Sequence, residues 1–133
     1  MNKIILDTNA YSSFLAGDKE VLDILAKSKI TYMSIFVLGE LYAGFKGGTK
    51  ELRNSKMLAD FLHKPTVATI DATQETSEIF GTIKNSLKEA GTPLPINDIW
   101  IASHAVETGA VIVTYNKHFK KIAGLRIWDS AEL

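Results

Sequence analysis

With 133 residues, 46% of them apolar and 23% charged, the chain has the length and composition of one soluble domain, which excludes wholesale disorder and requires no second domain. Fifteen Lys and Arg balance fifteen Asp and Glu, so a non-specific DNA coater that relies on a strong net positive field is excluded. The absence of cysteine removes disulfides, thiolate zinc sites and cysteine nucleophiles, leaving oxygen and imidazole as metal donors.

In chain order, Lys3 to Leu6 reads as a short buried strand, and Asp7-Thr8-Asn9 supplies helix-start chemistry before Tyr11, Phe14 and Leu15. Gly17-Asp18 breaks that helix, and Asp18 caps a second one with Val21, Leu22, Ile24 and Leu25 on one face. A second strand over Ile30 to Met33 ends at Ser34, the expected N-cap of a helix from Ile35 to Phe45 that Gly47-Gly48 closes. A fourth helix spans Lys50 to His63 and stops at Pro65.

Thr66 to Ile70 is the third strand, and Asp71-x-x-Gln74 resembles a capping box for a long helix reaching Ala90, with Gly91 as left-handed C-cap. Pro93 and Pro95 stiffen the following loop and deliver Asn97-Asp98 to the start of a helix from Ile99 to Thr108. Gly109 ends it, Ala110 to Thr114 is the fourth strand, and Leu125 to Trp128 the fifth. Near-continuously apolar strands separated by helices predict an α/β fold with a parallel sheet covered on both faces. No apolar run is long enough to cross a bilayer, and Met1-Asn2-Lys3 leads to Asp7 without a signal peptide's apolar stretch, so cytoplasm is the expected location.

Asp7, Glu40, Asp98 and Asn116 each sit where an apolar run gives way to a helix or turn. If those runs are parallel strands, their carboxyl ends share one sheet edge, where open α/β sheets place their chemistry. That pattern describes a metal-binding pocket. Asp7 alone reads equally as a plain N-cap after a strand, whereas for Asp98 capping and ligation are compatible, because a helix N-terminus keeps a carboxylate ionised as a hard-cation ligand must be. Glu40 has Phe36, Val37, Ala43 and Gly44 three and four positions away, so no local cation pairs with it at the margin of an apolar face. Such a carboxylate calls for a metal or hydrogen-bond donors. Asp71 reads as structural, on a strand expected at the sheet edge.

His63, His104 and His118 show no HxxxH spacing, and neither phosphate-binding glycine loops nor a GxSxG nucleophile elbow occurs. Residues 46 to 64 hold five basic side chains against two acids, and residues 117 to 126 four against none. They are solvated faces or a phosphate-binding rim, with Lys46, Lys117, Lys120 and Lys121 the candidates. Tyr11, Phe14, Leu41, Tyr42 and Phe45 are either core or the lining of a partner groove.

Four blocks in order, DTN from Asp7, SIFVLGELYAG from Ser34, GTPLPINDIWIASHA from Gly91 and TYNKHFKKIAGLRIW from Thr114, closely resemble the PIN-domain family, and within it the VapC-type toxins of bacterial type II toxin-antitoxin systems. The likeness covers essentially the whole chain. It implies a single domain over residues 1 to 133, with a three-layer α/β/α fold around a five-stranded parallel sheet. It also implies a Mg²⁺- or Mn²⁺-dependent single-strand endoribonuclease. By that resemblance Asp7, Glu40 and Asp98 hold the metal, Asn116 stands where the family often has Asp in a T-x-D-x-x-F pattern, and Thr114 is a hydroxyl contact to the site. A divalent cation would relieve the mutual repulsion of the carboxylates and polarise a phosphoryl oxygen, and the neutral Asn116 favours one tightly held ion. The implied partners are RNA, a cognate antitoxin and a second copy of the chain. A catalytically silent module that binds RNA or protein is the alternative. A phosphotransfer domain would need paired acids near the first strand, and Asp7-Thr8-Asn9 offers one.

Overall fold

In the computed structural model, which describes residues 2–128, five strands alternate with six helices. The order is β1 (Lys3–Leu6), α1 (Thr8–Leu15), α2 (Lys19–Lys27), β2 (Ile30–Ser34), α3 (Ile35–Lys46), α4 (Glu51–Leu62), β3 (Val67–Ile70), α5 (Gln74–Glu89), α6 (Ile96–Thr108), β4 (Val111–Val113) and β5 (Ile127–Trp128). A 3₁₀ turn over Lys117–Lys121 joins β4 to β5.

All strand pairs are parallel, in the spatial order β3-β2-β1-β4-β5. Ile4, Ile5 and Leu6 of the central strand are fully buried although successive side chains point to opposite faces, so helices cover the sheet on both sides. The result is the expected three-layer α/β/α architecture. The chain runs from β1 outward through β2 to β3, then returns to pair β4 on the other flank of β1. That reversal opens a crevice beyond the carboxyl ends of β1 and β4, the usual place for a ligand in such sheets.

Local chemistry explains most boundaries. Asp7 and Asp18 cap α1 and α2 through their carboxylates, and Ser34 caps α3 by accepting from the Phe36 amide. Gly91 and Gly109 adopt φ of 68° and 73° just past α5 and α6, where a side chain would be strained. Helix α6 is buried from Ile101 to Ala105 and locked by a stack in which Trp100 lies 5.0 Å from Phe36 of α3 and 3.9 Å from Phe80 of α5.

Two helix starts differ from expectation. The capping box of α5 is Thr73 with Thr76, three residues apart as the reciprocal bonds require, whereas Asp71 turns back to accept from the Ala72 amide. Helix α6 begins at Ile96, directly after Pro95, so Asp98 lies inside its first turn and caps nothing with its side chain. Strand β3 does lie at the sheet edge. Thr66, Ala110, Thr114, Leu125 and Arg126 fall just outside their strands, although Arg126 still accepts from the Ile112 amide at 2.8 Å.

Candidate functional site

The register of the sheet brings the first two site residues together. Leu6 pairs with Val113 as the last rung between β1 and β4, so Asp7 and Thr114 are adjacent one step further on, at the mouth of the crevice. The Thr114 hydroxyl donates to Asp7 Oδ2 in a short bond, while Asp7 Oδ1 accepts from the Ala10 amide at 2.8 Å. Asp7 is 5% exposed. Burial pushes its carboxyl above the ordinary value of 3.8, the Thr114 and Ala10 bonds pull it back down, and the charges of Asp98 and Glu40 push it up again. Both charges are felt at Asp7, although the three carboxylates come from the end of β1, from α3 and from α6.

Glu40 is not held near the core as its apolar neighbours suggest, but it does have the hydrogen-bond donor that such a carboxylate calls for. It is exposed, and Thr8 Oγ1 donates to its Oε1 at 2.9 Å, so solvent and a hydroxyl account for its charge. Asp98 is half-buried on the first turn of α6, and His118 Nε2 lies 2.8 Å from its Oδ2. Asn116 stands beside Thr114, its amide N–H donating to Thr114 Oγ1 at 2.9 Å. Its side-chain oxygen Oδ1 accepts from the His118 backbone N–H at 3.2 Å and so caps the 3₁₀ turn.

Thr8 and His118 are the residues that sequence reasoning missed. Thr8 follows Asp7 directly in the DTN block, and its reach to a residue 32 positions away is visible only once α1 and α3 are packed. Histidine spacing says nothing of His118, because its partner is a carboxylate on another element. Of the apolar candidates, Tyr11, Leu41 and Phe45 are core, Phe14 is half-buried against Phe61, and Tyr42 is 40% exposed. Lys46 is paired with Glu51 at 3.2 Å, an exposed contact of little energetic weight.

The donor set suits a hard divalent cation, because Asp7, Glu40 and Asp98 offer carboxylate oxygens only and their charges already oppose one another. As the side chains stand, no three acidic or imidazole groups among the described residues are gathered closely enough to hold a metal ion, so binding one requires these carboxylates to turn toward it. Both oxygens of Asp7 are engaged, by Thr114 and the Ala10 amide, and one oxygen each of Glu40 and Asp98, by Thr8 and His118, so an ion would use second lone pairs on Asp7 and the remaining oxygens of the other two, or displace these donors.

Asn116 yields a separable expectation. Asn116→Asp keeps a good capping oxygen and adds a charge, so it should tighten Mn²⁺ binding, whereas Asn116→Ala loses the cap and about 1 kcal/mol of stability. Calorimetric Mn²⁺ titrations paired with thermal melts check both, and identical affinity in the Asp variant would place Asn116 outside the ion's reach.

Similarity to known proteins agrees with this geometry. The sequence matches the PIN domain over residues 4–125. It is 34% identical to Ribonuclease VapC2 of Rickettsia felis over 111 residues, 81% of each chain. It is 33% identical to Ribonuclease VapC2 of Haemophilus influenzae over 132 residues, 95% of this chain and 96% of that one. The fold superposes on VapBC2 from Rickettsia felis bound to a DNA fragment from its promoter with a TM-score of 0.82 at 27% identity, covering 95% and 97% of the two chains. With the family match spanning nearly all of the sheet and its helices, and relatives above 30% identity over most of the length, the chain belongs to the PIN domain family.

Proposed function

We propose that this protein is the toxin of a type II toxin-antitoxin pair, an endoribonuclease that hydrolyses phosphodiester bonds of single-stranded RNA at the crevice between β1 and β4. The observation that carries the reading is the Asp7 carboxylate, buried at the mouth of that crevice, held by Thr114 and under the charges of Glu40 and Asp98, on a chain whose relatives are named ribonucleases. In this reading Asp7, Glu40 and Asp98 hold one Mg²⁺ or Mn²⁺. When bound, the ion supplies a Lewis acid that polarises a phosphoryl oxygen and offsets charge developing on the phosphate.

The chain's own groups do the rest. Thr114 fixes the rotamer of Asp7 and favours its ionised form, and Thr8 holds one oxygen of Glu40 in place. His118 orients Asp98 from the opposite side. Lys117 and Lys121 are exposed on the turn that follows Thr114, and with Lys120 they line the approach to the crevice where RNA phosphates would run. A cognate antitoxin, self-association as a homodimer, residence in the cytoplasm and a single domain over all 133 residues complete the proposal. None of the helices among the described residues is long and apolar enough to cross a membrane.

The test is to incubate purified protein with total cellular RNA in Mg²⁺ and in chelator, then map the new ends. Discrete cuts that need the ion support the proposal, and intact RNA under both conditions returns the chain to a silent binding module. The rim makes a further prediction. Lys117→Ala, Lys120→Ala and Lys121→Ala should each weaken RNA binding severalfold and lower its salt dependence by about one phosphate contact, leaving Mn²⁺ affinity alone. Lys46→Ala should do less, because Glu51 already offsets its charge. An unchanged salt slope in all four variants would leave these lysines as plain solvated surface.

A further inference from the structure

Tyr115 lies between Thr114, which holds Asp7, and Asn116, which opens the turn bearing His118. Its ring is 40% exposed, and an exposed aromatic ring ordinarily turns freely. This one is held at both ends. The phenol donates toward Asp18 Oδ2 at 2.8 Å and Glu20 Oε2 at 3.1 Å, and the ring stands 5.5 Å from the Trp128 indole at 73°. Burial of the phenol and these two acceptors push its pKa up, so the hydroxyl stays a donor.

Tyr115, Trp128, Lys117 and Lys120 line one small recess, shared with Thr114 and Asn116. Trp128 is 6% exposed, and its buried indole N–H has no acceptor among the described residues. The recess holds about 40 Å³, room for an exocyclic group or a water and too little for an aromatic ring. An occupant therefore lies over the exposed part of Tyr115 and sends in only its edge.

We propose that Tyr115 is a stacking platform for a nucleobase of single-stranded RNA next to the scissile phosphate. The inference rests on the RNA-cleaving reading and assigns that site a base-binding subsite. Three features favour it. The ring is continuous in sequence with the Thr114 that holds Asp7, its rotamer is fixed before anything binds, so little side-chain entropy is lost on stacking, and Lys117 beside it offers charge to the neighbouring phosphate. Asp18 and Glu20 at the hydroxyl end repel phosphate, which directs the backbone to the lysine side. Stacking tolerates any base, so the platform sets position along the strand more than sequence.

The test uses short single-stranded RNAs carrying 2-aminopurine at successive positions, bound to the full-length protein in chelator, where stacking quenches the fluorophore. Wild type should quench at one position. Tyr115→Phe should retain the quench, whereas Tyr115→Leu and Tyr115→Ala should lose it and bind about tenfold or more weakly with their folds intact by circular dichroism. The same preparations in Mg²⁺ separate the two ideas. A wild type that cleaves RNA while Tyr115→Leu quenches and binds equally overturns the platform alone. Quenching that Tyr115→Leu abolishes, without cleavage, removes the nuclease reading and leaves Tyr115 a stacking platform of an RNA-binding module, and a wild type that neither binds nor cleaves overturns both.

Discussion

Replacing Asp7 with Asn is expected to lower RNA cleavage by about 10³-fold or more, corresponding to about 4 kcal/mol of lost transition-state stabilisation. In chelator the same change should raise the melting temperature. The carboxyl of Asp7 titrates above its ordinary 3.8 in the folded protein, chiefly through burial, with Asp98 and Glu40 adding to it against the Thr114 and Ala10 hydrogen bonds. The folded state therefore binds this proton more readily than the unfolded chain, and stability falls as pH rises from 3.8 through the folded value. At neutral pH the penalty is fully present, and the amide removes it. An Asn carbonyl still caps Ala10, and its NH₂ can donate to the Thr114 oxygen in place of the bond Thr114 now makes. With Mg²⁺ at a hundred times its Kd the wild type gains about 2.7 kcal/mol by mass action and the variant gains little. The order of the two melting temperatures should then invert. A variant that melts below wild type in chelator would contradict the electrostatic account of Asp7.

Replacing His104 with Ala should cost about 2–4 kcal/mol of stability and lower the melting temperature by roughly 10 °C. His104 is fully buried, with Nδ1 2.9 Å from Ser34 Oγ and Nε2 3.0 Å from the Asp71 carbonyl. A carbonyl only accepts, so Nε2 carries the proton and Nδ1 accepts from the Ser34 hydroxyl, whose oxygen in turn accepts from the Phe36 amide. One neutral imidazole thus ties α6 to the ends of β2 and β3. Burial holds its pKa below 6.5, against the Asp71 carbonyl bond and the charges of Glu107 and Asp71. A depressed folded pKa gives stability that is complete above 6.5 and is lost as pH falls through the folded value. Protonation of Asp7 acts with the opposite sign, so the reading is the difference between wild type and His104→Ala at each pH. That difference, measured by chemical denaturation, should be large at pH 7.5 and shrink on acidification. A variant within about 0.5 kcal/mol of wild type at neutral pH would show the network to be dispensable.

The layers of the fold were legible because each apolar run was short, nearly continuous and followed by a named helix-start residue, as at Asp7, Asp18 and Ser34. The sheet order was legible only in part, since β3 was expected at the edge where it lies but nothing local places β4 beside β1. The four blocks resembling PIN domains named the site residues, and the fold supplies what the blocks could not, namely that β1 and β4 are neighbours and so make Asp7 and Thr114 adjacent. Periodicity placed Glu40 at an apolar margin, yet its exposure depends on how α1 packs against α3. The Asp98–His118 pair was invisible for a similar reason, because it joins α6 to a turn 20 residues later in the chain. At Asp71 the rule for a capping box was right and its register was wrong, because Thr73 offered the same chemistry two residues on.

The central claim is that Asp7, Glu40 and Asp98 share one divalent ion. Calorimetric titration of Mn²⁺ into wild type and into Asp7→Asn, Glu40→Gln and Asp98→Asn tests it most directly, each protein first confirmed folded by its melt in chelator. The account predicts saturable binding of about one ion per chain by wild type and a loss of affinity of tenfold or more in every variant, since each removes one of three charges acting on the same ion. Binding by all three variants with wild-type affinity and stoichiometry would contradict it.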